Sequence, residues 1–212
     1  MLENLARRKS LSALWVPEEF LPIARRTLES DDPLEQRLAV SILGRIVDES
    51  SFERIVHLLE LEECALRREA LRAVQRMSGL QRDWDADRWF DWWRTERARI
   101  QNDTDRALDV QTMNAGRAME LIRDLSTHRL FAADAIPSLG EALNHPDSRV
   151  RALACQGLAH SEHPSTIPYF ILCLDDRDEL LRDTARETLR GLTGHDLGAD
   201  RRDWEDWWHG LH

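Results

Sequence analysis

Apolar residues return every three or four positions along most of this chain, which is the spacing of one face of an α-helix. Leu66, Ala70, Val74 and Met77 form one such stripe. The pattern predicts four helix pairs: residues 17–30 with 33–47, 51–61 with 63–78, 132–144 with 147–160, and 164–174 with 177–192. Pro17 and Glu18 open the first helix, and Asp32 and Pro33 start its partner. Proline in a first helical turn lacks only a donor that had no helical acceptor anyway. Between the halves, residues 101–104 (Gln-Asn-Asp-Thr) read as a polar connection, followed by a helix carrying Met113, Met119, Leu121, Ile122 and Leu125.

The pattern is written twice, 115 residues apart and without a gap, which decides architecture before any chemistry. Pro22 matches Pro137, Leu38 matches Leu153, Ala39 matches Ala154, Leu59 matches Leu174, Arg67 matches Arg182 and Ala70 matches Ala185. Each copy ends in a tryptophan-rich tail, with Gly79, Asp85, Trp89, Trp92 and Trp93 answered by Gly194, Asp200, Trp204, Trp207 and Trp208. The glycines suit a left-handed helix C-cap, and the aspartates suit the N-cap of a new helix. On that helix the three tryptophans share one face. A single helix pair cannot bury both its apolar faces, so pairs stack, and the open end of the stack needs a cover. Tryptophan covers the most area per residue. The other reading of the tails is an aromatic contact surface, for which Trp84 is the candidate, since Ala199 replaces it in the second copy. The expected fold class is all-α, an α-solenoid of stacked hairpins. It comprises two modules, residues 1–100 and 101–212, each closed by a tryptophan-rich helix. They form either one right-handed-type solenoid or two fragments hinged near residue 102.

The segment from His145 to Leu158 resembles the second helix of a HEAT repeat. Asp147, Val150, Arg151, Ala154 and Leu158 stand where that family places an aspartate, Val-Arg, alanine and leucine. The pattern recurs around Leu181, Arg182, Ala185 and Leu189, and around Leu66, Arg67, Ala70 and Val74. In the first pair Glu35 and Gln36 replace Val-Arg, while Ala39 and Leu43 remain. The resemblance covers roughly residues 17–80 and 132–195 and speaks to fold. It implies that the arginine pairs with an acidic group of a neighbouring repeat, a coupling that Gln36 cannot make, and that the second helices line the concave face.

Composition agrees with helix. The chain has 212 residues, 42% hydrophobic and 32% charged, with Tyr169 its only tyrosine and Lys9 its only lysine. Its net charge is −10, unevenly spread: residues 1–100 hold 17 basic and 19 acidic side chains, a net of −2, and the remainder a net of −8. Such a balance disfavours nucleic acid and anionic membrane and steers toward basic partners. Cys64, Cys155 and Cys173 lack CxxC spacing and read as reduced core residues. With no apolar segment of spanning or signal length, a cytoplasmic, soluble protein is expected.

Arg68, Arg72 and Arg76 stand four apart, opposite the apolar stripe of residues 63–78, and their counterparts are Asp183, Glu187 and Gly191. One module therefore offers a cationic face where the other offers an anionic one. A solvated, ion-paired surface is one reading, and a groove for a charged segment of a partner is the other. His160, His163, His195 and Asp196 fall at turns on one edge, but no spacing matches a metal motif, and His145 lies about 20 Å away at helical rise. No phosphate loop, GxSxG or HExxH is present, so neither a cofactor nor a metal is expected. The function expected is a non-enzymatic protein-binding scaffold or adaptor, of inhibitor or immunity type for a basic partner. Its partner-binding residues are Arg68, Arg72, Arg76, Trp84, Asp183 and Glu187. The alternatives are a HEAT-like lyase acting on a protein-bound group, as in phycobilin lyases, and nucleic-acid processing, as in HEAT-like DNA glycosylases.

Overall fold

A computed structural model describes residues 20–210, and every regular element among them is helical. Pro17 and Glu18, expected to open the first helix, lie outside the described residues. In chain order the α-helices are α1 Phe20–Thr27, α2 Pro33–Arg45, α3 Phe52–His57, α4 Cys64–Ser78, α5 Ala86–Arg106, α6 Ala115–Leu125, α7 Ala132–Ala142, α8 Ser148–Ser161, α9 Ile167–Cys173, α10 Glu179–Thr193 and α11 Arg201–His209. The starts of α2, α3, α4 and α5 recur 115 residues later as the starts of α8, α9, α10 and α11.

Local chemistry sets these boundaries. Asp32 caps α2 by accepting the Leu34 N–H at 2.8 Å, Asp147 caps α8 through Arg149 N–H at 2.9 Å, and Asp178 caps α10 through Leu180 N–H at 3.0 Å. Each such cap stabilises its helix by about 1 kcal/mol. Gly79 and Gly194 end α4 and α10 at φ 76° and 72°. Among the described residues, two non-glycine residues also take left-handed backbone, Val47 at φ 54° and Glu162 at φ 50°, and they too are 115 residues apart.

The chain divides into two compact units, one reaching Ala98 and the other running on from Arg99, so the boundary falls within α5. In the first unit α2 packs along α4, with α1 against α2 and α3 against α4. Ala39, Leu43, Leu66, Ala70, Val74 and Met77 are buried between them, as the stripe predicted. The approach of α2 to α4 is closest at Gly44, where a Cβ would lie 2.5 Å from the Ala73 Cβ and 2.9 Å from its Cα. In the second unit α6 packs along α8 and α8 along α10, with α7 against α8 and α9 against α10. The helix α6 is the one expected to carry Met119, Leu121, Ile122 and Leu125, and its packing along α8 adds a member to the second helices of this unit beyond the four expected pairs.

Each HEAT-like position has a local cause in α8. Val150, Ala154 and Leu158 are buried, while Arg151 forks onto Asp176 at 2.9 and 3.0 Å and also donates to the His145 and Pro146 carbonyls. Gln36, at the equivalent place in α2, donates to the Leu28 carbonyl at 3.0 Å instead. The reading of residues 101–104 as a connection is corrected, because α5 continues through Arg106. Ile100, Asp103, Ala107 and Val110 form a buried stripe at helical steps, and the aspartate inside it disguised the pattern.

Candidate functional site

The arginine stripe of α4 is not uniform. Arg68 is exposed, and its Nε donates to the Cys64 carbonyl one turn back at 3.1 Å. Arg72 is exposed and ion-paired through Nη1 with Glu69 at 3.2 Å. Arg76 differs from both: it is half-buried, and its Nη1 is buried without a hydrogen-bond acceptor. Burial pushes its pKa below the ordinary arginine value; the Glu69 carboxylate acts the other way, and the nearby charges of Arg45 and Arg72 push it down further. The expectation that all three lie opposite the core is therefore corrected for Arg76. It lies on the same flank of α4 as Ala73, where Gly44 draws α2 close and brings Arg45, the last residue of α2, within electrostatic reach.

Trp84, expected as an exposed contact, is half-buried against Trp89, with ring centroids 4.9 Å apart and planes at 58°. Trp89 meets Trp92 edge-on at 5.8 Å, and Trp92 tilts over Phe52 of α3 at 5.8 Å. The guanidinium of Arg97 lies 4.9 Å from the centroid of Trp93. These contacts place one face of α5 on α3, as the i+4, i+7, i+8 spacing implies.

On α10 the expected anionic face is mixed. Asp183 is half-buried and bonded to Arg186 at 2.7 Å. With Glu179, Arg182 and Ala199 it lines a depression of about 180 Å³. Glu187 is exposed and borders a separate open depression of about 520 Å³ with Arg190, Gly194, His195 and Asp196. Arg190 and Asp196 lie 3.4 Å apart there. Asp183 is compensated by Arg186, three positions further along the helix, whereas Arg190, three positions past Glu187, pairs with Asp196 instead.

The histidines serve the turns. His163 accepts the Ser165 N–H at 3.2 Å, and burial lowers its pKa; His195 lies over Trp207 at 5.3 Å; His160 is exposed. Among the described residues no three His, Cys, Asp or Glu side chains are grouped so as to hold a metal ion. Cys155 and Cys173 are buried, and the hydrogen bond with Cys155, together with burial, pushes the Cys173 thiol up. Cys64 is a correction, since it is exposed in the first turn of α4. Sequence reasoning also missed a buried polar cluster in which His128 Nε2 donates to Asp103 Oδ2 at 3.0 Å and Arg106 reaches Asp103 at 3.0 Å. Its sequence signal was the 100, 103, 107, 110 stripe.

Residues 113–196 match the family model of HEAT repeats, which spans α6 to α10. No curated protein matches the chain. Among solved structures, the chain is similar to an engineered protein whose crystal structure comes from the Northeast Structural Genomics Consortium. That similarity is at 16% identity, covers 81% of this chain and 78% of that chain, and has a TM-score of 0.37.

Proposed function

We propose, with the HEAT repeats over residues 113–196 as the premise, that the chain is a non-enzymatic scaffold that holds another protein on the faces of its second helices. HEAT repeats are in general protein-interaction modules, which supports this reading. The observation that carries the reading further is a contrast between buried and exposed positions at the 115-residue spacing. Buried positions keep their character, as in Leu66 and Leu181, Ala70 and Ala185, and Val74 and Leu189. Exposed or flanking positions change sign or size, as in Arg68 and Asp183, Arg72 and Glu187, and Arg76 and Gly191. The fold does not require those charges, since it forms with either set, so their chemistry is available for recognition. A basic partner suits the second half, whose net charge is −8. Charge complementarity of this kind would suit an inhibitor or immunity-type protein. In this reading the tryptophan-rich helices close each module rather than form the contact surface.

Affinity capture with the full chain at near-native salt tests the proposal. A partner should stay bound through gel filtration and be lost when Arg68 and Arg72, or Asp183 and Glu187, are reversed in charge. Capture that yields no stoichiometric partner, or one indifferent to both reversals, would sink it.

A further inference from the structure

Gly191 stands in the last turn of α10, and a Cβ placed on it would meet nothing within 4 Å. Close packing therefore does not call for glycine there, in contrast to Gly44, where Ala73 leaves no room for a side chain. Nor does the backbone, since Gly191 is not left-handed as Gly194 is. Glycine is moreover a poor helix former. Together with Glu187, Arg190, Gly194, His195 and Asp196, Gly191 lines the open depression of about 520 Å³. A long helical side chain leans back over the residue four positions earlier, so one at 191 would enter this depression above Glu187.

The first unit carries such a side chain. Its helix α4 has the same 15 residues and the same left-handed glycine cap as α10, so the two correspond position by position. In α4 the place of Gly191 is taken by Arg76, which is half-buried. The surroundings change with it: Glu187 replaces Arg72, Asp196 replaces Gln81 and His195 replaces Leu80. The second unit therefore lacks the long cation and has carboxylates where the first has an arginine and an amide. Those carboxylates are accessible. The neighbouring arginines of α10 are engaged elsewhere, Arg186 with Asp183 and Arg190 with Asp196, which leaves Glu187 without an ion pair among the described residues. The Arg190 and Asp196 side chains are 54% and 60% exposed, and a pair so open to water is weak enough for an incoming cation to exchange into.

We infer that this depression seats an arginine side chain from a basic segment of a partner protein, laid over Gly191 with its guanidinium on Glu187 and Asp196. This rests on the scaffold reading and names the surface and the partner residue for it. The occupant supplies from outside what Arg76 supplies to the first unit from its own chain. Arginine suits the site better than lysine, because the guanidinium presents five donors in a planar fork and reaches two carboxylates at once. His195, whose ring is held against Trp207 at 5.3 Å, adds a planar wall on which a guanidinium stacks and an ammonium does not. The net charge of −8 on residues 101–212 draws a basic segment toward this unit as a whole, and the depression selects one residue of it.

Isothermal titration of the full chain with a blocked hexa-arginine peptide, at low and at physiological salt, tests the seat, with blocked hexalysine as the competing probe. Hexa-arginine should bind saturably and at least about fivefold more tightly than hexalysine at physiological salt. Glu187→Gln should weaken it at least about tenfold, as loss of a charge-assisted pair does. Gly191→Gln fills the depression without changing the charge and should weaken it as much. That variant should also melt no lower than the parent, since its Cβ meets nothing and glutamine is the better helix former. Glu120→Gln removes an exposed carboxylate from α6 of the same unit and should leave binding within about twofold. Equal losses in the Glu120 and Glu187 variants, or hexalysine binding as tightly as hexa-arginine, would reduce the effect to diffuse charge and overturn the seat. So would the absence of saturable binding, or undiminished binding to the Gly191→Gln variant. A dimer of the parent chain in gel filtration that Gly191→Gln dissolves would give the seat to a second copy and overturn the partner. Because the probe is a defined peptide, the result is independent of the capture experiment. Peptide binding without a captured partner keeps the seat and removes the scaffold, whereas a captured partner that Gly191→Gln leaves bound keeps the scaffold and removes the seat.

Discussion

Trp89 and Trp204 stand at equivalent places in the two units and are both fully buried, yet only Trp204 has a partner for its indole N–H. Its Nε1 donates to the Gly198 carbonyl at 3.1 Å, while Trp89 Nε1 is buried with no acceptor. The loop before each tryptophan explains the difference. Gly198 takes φ +79°, a left-handed conformation that only glycine adopts at little cost. Asp83, its counterpart, is not left-handed, and Trp84 packs on the Trp89 ring instead.

Gly198→Ala should therefore destabilise the second unit by about 1–2 kcal/mol, through strain and loss of the indole bond. Asp83→Ala should change the first unit by less than about 0.5 kcal/mol, because Asp83 holds no left-handed backbone and the Trp89 indole N–H takes no acceptor from that loop. Urea unfolding followed by tryptophan fluorescence distinguishes the two. Equal losses would show that Gly198 is not what positions the acceptor.

Val47 and Glu162 carry left-handed strain at matching points between hairpins. A β-branched residue is the less suited of the two. Val47→Gly should stabilise the protein by about 0.5–1 kcal/mol, the relief of strain outweighing the added freedom of the unfolded chain. Glu162→Gly should gain less. A fall in melting temperature for Val47→Gly would mean that the packing of the half-buried valine outweighs its strain.

The pair of Arg151 and Asp176 makes the second unit acid-sensitive. The two side chains are only 9% and 14% exposed. Burial alone would raise the Asp176 pKa, but the Arg151 hydrogen bond, the Asp178 backbone N–H and the charges of Arg151 and Arg177 hold it below the ordinary carboxylate value. A depressed folded pKa contributes stability that is present above the unfolded value, near 3.9, and lost as pH falls through the folded one. Melting temperature should therefore drop as pH falls below about 4, and Asp176→Asn should flatten that drop while costing about 3 kcal/mol at neutral pH. An unchanged acid slope in Asp176→Asn would assign the sensitivity elsewhere.

Asp103 and His128 join the end of α5 to the segment after α6 with almost no solvent contact. Removing the carboxylate leaves a buried imidazole N–H unpaired. Asp103→Ala should destabilise the second unit by about 2–4 kcal/mol. Asp103→Asn, which keeps an acceptor, should cost less than half of that. Hydrogen exchange along α6 and α7 reports the local opening, and protection equal to the parent's in Asp103→Ala would remove the cluster's structural role.

The core was legible because it is written in short-range signals. The stripe of Leu66, Ala70, Val74 and Met77, the aspartate caps and the glycines at 79 and 194 each act within a turn or two of helix, so spacing alone locates them. The functional surface was less legible. Arg68, Arg72 and Arg76 look alike in sequence, and only the approach of α2 at Gly44 separates the half-buried Arg76 from its exposed neighbours. Asp183 stands in the sequence as part of an anionic face, and the fold puts the Arg186 guanidinium on it at 2.7 Å.

The sequence by itself determined that each unit of this protein is built of helix pairs, and that the starts of α2 to α5 recur 115 residues later in α8 to α11. Helical periodicity and capping are local, and the chain meets their requirements before any distant segment is in place. The tertiary structure alone decided which charges are quenched and which are left. Arg151 finds Asp176 and His128 finds Asp103, each across 25 positions, while Arg76 Nη1 and Trp89 Nε1 are buried without an acceptor. Those outcomes depend on how closely one helix lies on the next, and angstrom-scale approach between distant segments has no signature in residue spacing.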